Sequence, residues 1–112
     1  MLESEGQRIV QKLEEIPGLK SISRGWREGE VRLPCVVVQM SGERAAGFAD
    51  DREYLTEVTA CIRLYAERAE ELESIGGLIR KAMSSLKYQR DFAWEDGNGR
   101  ALGLVERYKT WI

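Results

Sequence analysis

The side chains in this sequence that are equipped for chemistry are few and scattered. Cys35 and Cys61 are its only thiols, and it contains no histidine. A structural zinc ion needs four nitrogen or sulfur ligands, so these two residues cannot build such a site. Their contexts, Pro34-Cys35-Val36-Val37 and Ala60-Cys61-Ile62, are apolar and strand-like. Free cysteine behaves as a small hydrophobe, and both thiols are expected to be buried or half-buried. A Cys35–Cys61 disulfide is open if the two strands pair side by side. The start of the chain, Met1 to Gln11, carries Glu3, Glu5 and Arg8 and lacks a secretory leader's apolar run. The expectation is therefore a reducing cytoplasm and free thiols.

The remaining candidates fail on spacing. Asp50, Asp51 and Glu53 are acidic neighbours without the alternating ligands and glycine of a calcium loop, and they read as a solvated loop end. Glu70, Glu71 and Glu73 are explained by their place at a helix start. Gly97, Gly99 and Gly103 suggest a dinucleotide loop, but Leu102 stands where that motif needs glycine or alanine, and strands flank the segment. A hairpin turn accounts for them. No serine lies in a G-x-S-x-G elbow, and no Walker sequence occurs. The expectation is a protein without catalytic residues, cofactor or metal.

Composition narrows the class further. The 112 residues are 43% hydrophobic and 32% charged, which suits a single folded domain spanning 1–112. Lys and Arg number 17 against 19 Asp and Glu, a net charge of −2 with the signs evenly spread. No basic stripe exists to drive counterion release, so no specific nucleic-acid binding is expected. No apolar run approaches the roughly 18 residues that would signal a membrane span. A balanced surface suits a protein that meets other proteins.

Periodicity supplies the elements. Leu2, Ile9, Val10, Leu13 and Ile16 recur at helical spacing, and Pro17-Gly18 ends that helix. Residues 18–33 read as an irregular loop in which Ser21–Trp26 is at most a short extended piece. Pro34 opens the β-branched run Cys35–Met40, a strand. Ser41–Asp51, polar and holding two glycines, reads as a long hairpin loop with Phe48 at its centre. Residues 53–65 alternate: Tyr54, Thr56, Val58, Ala60, Ile62 and Leu64 face the core, and Leu55, Glu57, Thr59, Cys61, Arg63 and Tyr65 face away. A second helix spans Ala66–Leu86, with Leu72, Ile75, Ile79, Ala82, Met83 and Leu86 as its apolar stripe. Acidic residues begin it, and Arg80, Lys81 and Lys87 close it. Its central Gly76-Gly77 marks close packing against a sheet. Tyr88, Arg90, Phe92 and Trp94 share one side of a third strand. Asp96–Gly99 turns the chain, and Ala101–Trp111 returns as a fourth strand.

The expected fold is therefore an α+β two-layer sandwich of order α-β-β-α-β-β. Two helices cover one face of a four-stranded, mostly antiparallel sheet. The other face lacks a covering layer. Phe48, Leu55, Thr59, Cys61 and Tyr65 are the candidate contact residues.

This order resembles the tail-terminator and tail-completion proteins that join head to tail in long-tailed bacteriophages. The matching stretches are the N-terminal amphipathic helix, the strand opening LPCVVVQM, a long polar loop and the strand REYLTEVTACIRLYAE. The helix AEELESIGGLIRKAMSSL and the hairpin RDFAWEDGNGRALGLVERYKTWI follow. Together they span most of the chain, by order, length and texture rather than invariant residues. The resemblance implies a structural phage or prophage protein. It would form homo-oligomeric rings, commonly hexamers, that cap the tail tube and meet the head connector. It would be found in the bacterial host cytoplasm during assembly and then in the virion tail. The competing expectation is a small non-catalytic ligand-binding or sensor module, dimeric through the same sheet. Its apolar pocket would lie between helices and sheet, lined by Trp26, Phe92 and Trp94.

Overall fold

The computed structural model describes residues 1–25, 32–49, 52–97 and 101–112, with residues 48, 49 and 52–54 placed by their backbone. The chain is α+β. In order it runs α1 (Leu2–Leu13), β1 (Ser21–Arg24), β2 (Cys35–Ala49), β3 (Arg52–Ala66), α2 (Ala69–Ser85), β4 (Gln89–Glu95) and β5 (Leu102–Trp111). The strands form one mixed sheet of order β1-β2-β3-β5-β4. The sheet is thus five-stranded rather than four-stranded. The extra member, β1, lies in the segment expected to be irregular and pairs in parallel with β2, Ser21 beside Cys35 through Arg24 beside Val38. Four residues are too few for alternation to rise above noise, which is why periodicity misses it.

Both helices pack on one face of this sheet. Ile9, Leu13 and Ile16 from the α1 segment meet Ile75, Ile79, Ala82 and Met83 from α2 over Val36, Val38, Ala60, Ile62, Leu64 and Tyr108. Burying a side chain of this size contributes about 1.5–3 kcal/mol. Acidic Glu3 and Glu5 at the start of α1, and Glu70 and Glu71 at the start of α2, complement the helix dipoles. Gly18, at φ 94°, takes the left-handed exit after Pro17. Gly76 is buried, and a Cβ there would stand 3.2 Å from Leu104 Cδ2, so the close approach of helix to sheet falls at this glycine.

The bounds of α2 differ from expectation at both ends. β3 keeps its ladder to Ala66, which delays the helix to Ala69. The far end closes with the Tyr88 N–H donating to Met83 O at 3.0 Å and the Lys87 N–H to Ser84 O at 3.0 Å. This is the paired bonding of a Schellman cap, with Lys87 at φ 71° in the position that usually holds glycine. Lys87 therefore lies beyond the helix, and the last turn of α2 carries no basic residue.

Within the polar segment Ser41–Asp51, residues 41–49 are strand rather than loop, and Asp50 and Asp51 lie outside the described residues. β2 continues to Ala49, and β3 starts at Arg52, so the two pair as a long hairpin through Phe48 beside Glu53 and Ala49 beside Arg52. β5 ends against Glu57, and Ile112 exchanges two backbone hydrogen bonds with Thr56. Among the described residues only β2 and β3 continue beyond that point, as a two-stranded arm. Two strands of 15 residues each, at roughly 3.3 Å per residue, account for the 52 Å long axis of a molecule 26 × 24 Å across. Register shifts around Gly47 mark bulges that add twist to the arm, and another between Met40 and Gly42 lies within the sheet, opposite Ala60 and Thr59.

Replacing Ile79, 1% exposed at the centre of the core, should cost about 2–5 kcal/mol as Ile79→Ala, read as a lowered denaturation midpoint at unchanged slope.

Candidate functional site

The candidate site is the sheet face away from the helices. Pairing fixes its membership. On β3 it carries Leu55, Glu57, Thr59, Cys61, Arg63 and Tyr65, and on β5 their partners Trp111, Lys109, Arg107, Val105 and Gly103. On β4 it carries Phe92, beside Arg107, and Trp94, beside Val105. Among the described residues no helix covers it.

Four of the five expected contact residues share this face. Leu55, Thr59 and Tyr65 are half-buried, and Cys61 is buried. Phe48 sits at its register position in the arm, and its side chain lies outside the described residues. Cys35 is on the same face but opposite Tyr65, whereas Cys61 stands opposite Gln39. Four residues of strand, about 13 Å, separate the two thiols along the ladder, too far for a disulfide. Both are free, and burial pushes both above the ordinary thiol range. Such thiols are poor nucleophiles near neutral pH.

An ion-pair ladder fills the middle of the face. Arg44 Nη2 lies 3.2 Å from Glu57 Oε2, and Lys109 Nζ lies 3.3 Å from Glu57 Oε1. Lys109 reaches on to Asp91 Oδ2 at 3.7 Å, and Arg107 holds that same oxygen at 2.7 Å. Arg63 approaches Asp96 at 3.8 Å, and the Tyr65 hydroxyl donates to it at 3.4 Å. The ladder ties β2, β3, β5 and β4 together. Burial pushes the Glu57 carboxyl up, and hydrogen bonds from Lys109 and Arg44 outweigh it, holding the group below the usual carboxylate range.

The exposed apolar groups stand beside this ladder. Phe92 is 54% exposed and Trp94 38%, with ring centroids 5.5 Å apart, and the Arg107 guanidinium lies 5.8 Å over the Phe92 ring. Trp111 is 42% exposed. Alternation alone puts Tyr88, Arg90, Phe92 and Trp94 on one side, and the structure corrects that. A bulge between Arg90 and Phe92 shifts the register, so Arg90 turns to the helix side and Phe92 and Trp94 turn away. Neither ring therefore lines a space between helices and sheet, and Trp26 lies outside the described residues.

Sequence reasoning also misses a charge on the helix side. Glu106 is 2% exposed, yet it accepts hydrogen bonds from the Tyr108 hydroxyl and from Arg90, both at 3.0 Å, and Arg80 approaches at 3.6 Å. Burial, reinforced by that carboxylate, drives the Tyr108 hydroxyl far above its ordinary range, so it serves as a donor. The signal was present: Glu106 falls in the parity of Leu104 and Tyr108, the core parity of β5.

Among the described residues no three His, Cys, Asp or Glu side chains gather to hold a metal ion, and no helix is long and apolar enough to cross a membrane. An open cleft of about 410 Å³ lies where α1 begins beside β1 and β2, with the Arg24–Glu3 ion pair, 2.9 Å, in its wall. No family model matches the chain, and no curated protein matches it in sequence.

Because Glu57 has a lower pKa folded than unfolded, its contribution is complete above the usual carboxylate range and is lost as pH falls through it. Urea midpoints taken from pH 7 to pH 3 should therefore drop on acidification, and Glu57→Gln should flatten that drop while lowering the midpoint at pH 7.

Proposed function

We propose that this chain is a structural subunit of a long-tailed phage or prophage. In this reading it closes the head-proximal end of the tail tube as a homo-oligomeric ring and meets the head connector. The observation that carries the reading is the sheet face that no helix covers among the described residues, whose edge presents Phe92 and Trp94 and whose last strand presents Trp111. Aromatic side chains with a neighbouring arginine are the composition of interface anchors. A lone domain gains nothing by holding such rings in water. The arm supports the same reading. An isolated two-stranded hairpin is marginal in water and gains stability when another surface covers it. A head-to-tail contact whose rotation closes makes a ring and stops further growth, which is what capping a tube requires.

Light scattering on the purified full chain should give a mass several-fold the 12.8 kDa of one subunit, with annular particles in negative stain. Alanine at both Leu55 and Tyr65 should weaken that assembly. A monomer at all concentrations contradicts the reading. In a phage carrying this gene, its disruption should leave heads and tails unjoined in electron micrographs, and normal virions would contradict the assignment to the tail.

A further inference from the structure

Among the described residues the sheet ends at two edge strands, β1 and β4. Their directions follow from the pairings: β1 is parallel to β2, and each step from β2 to β3, β5 and β4 is antiparallel. β4 therefore runs opposite to β1. A second copy set beside the first in the same orientation brings its β1 antiparallel against β4, the more stable form of ladder.

The side chains on the two edges are complementary in that arrangement. On the uncovered face β4 carries the large rings of Phe92 and Trp94, and β1 carries the small Ser21 and Ser23. On the helix face β4 carries Ala93 and β1 carries Ile22. The register that keeps every residue on its face sets Trp94 against Ser21, Ala93 against Ile22 and Phe92 against Ser23 of the neighbouring copy. Asp91, at the bulge, stays on the uncovered face, held by Arg107 and Lys109. Sliding by two residues instead sets the Glu95 carboxylate against Ile22. All seven residues of β4 are exposed; its charges, Arg90, Asp91 and Glu95, and its bulge flank the uncharged stretch Phe92, Ala93 and Trp94.

We propose that copies of this chain join edge to edge, β4 of one adding to β1 of the next, so that the sheet runs on through the assembly with Phe92 and Trp94 seated over the neighbour's serines. This rests on the ring reading above and names one of its contacts, beside the face that carries Leu55 and Tyr65. Each contact is short, but every subunit in a closed ring makes two, and closure makes the second intramolecular.

The test is cross-linking of the purified full chain. Ser23→Cys combined with Phe92→Cys should give, under mild oxidation, a ladder of covalent oligomers on a non-reducing gel, ending at the mass found by light scattering. Each single variant should give none. Ser21→Cys with Trp94→Cys repeats the test at the adjacent pair, should the first pair disturb folding. Covalent dimers from Phe92→Cys alone would overturn the proposal in favour of two-fold β4–β4 pairing. An intact oligomer with no cross-link from either double variant would overturn it and leave the ring reading standing. A monomeric wild-type chain would overturn both.

Discussion

Everything in this molecule is referred to β3. Its residues alternate so strictly that Val58, Ala60, Ile62, Leu64 and Ala66 are all buried on one face, the middle three in the core with the helices, and each intervening side chain is turned to the other face. Period two leaves no freedom: a slip of one residue would put Glu57 and Arg63 into the core and the aliphatic row into water. β2 and β5 take their registers from this strand, and β4 and β1 take theirs from those neighbours. The two helices then have one apolar surface to cover, and both cover it.

The same constraint decides the character of the second face. Most of the hydrophobic burial lies on the helix side, although Val37, Cys61 and Val105 are buried on the other face. The far side is instead held by charge: Glu57 between Arg44 and Lys109, and Asp91 between Lys109 and Arg107. Exposed ion pairs contribute little singly, and a linked row contributes more than isolated pairs. Such a ladder tolerates both water and a polar partner. The apolar groups, by contrast, are displaced to the β4 edge and to the end of β5. A surface of this kind, polar in its middle with aromatic residues at one border, suits lateral contact between copies better than a buried ligand site.

How much of this was legible in the sequence varies by element, for physical reasons. The alternation of residues 53–65 announced β3, and the stripes of α1 and α2 announced the layer above it. The extension of β2 past Met40 was not legible, because Ser41–Gly47 is mostly exposed and carries no hydrophobic alternation; its pairing is written only in the backbone. β1 was too short to declare itself. The bulge at Asp91 changes the parity of β4 without any residue signature, so alternation groups Phe92 and Trp94 with Arg90, from which the structure separates them. Of the site itself, Leu55, Thr59, Cys61 and Tyr65 were legible from parity, and the rings beside them were not. Glu106 shows the opposite limit: its parity was visible, but a buried carboxylate is intelligible only with Arg80, Arg90 and Tyr108 around it.

The central claim is that one copy leaves its second face and β4 edge to be covered by others. Hydroxyl-radical footprinting of the chain across a concentration series reads this directly, residue by residue. Phe92 and Trp94 should be oxidised quickly in dilute solution and protected several-fold on concentration, while the buried Tyr108 stays unreactive throughout. Equal and rapid oxidation of both rings at every concentration would contradict the account.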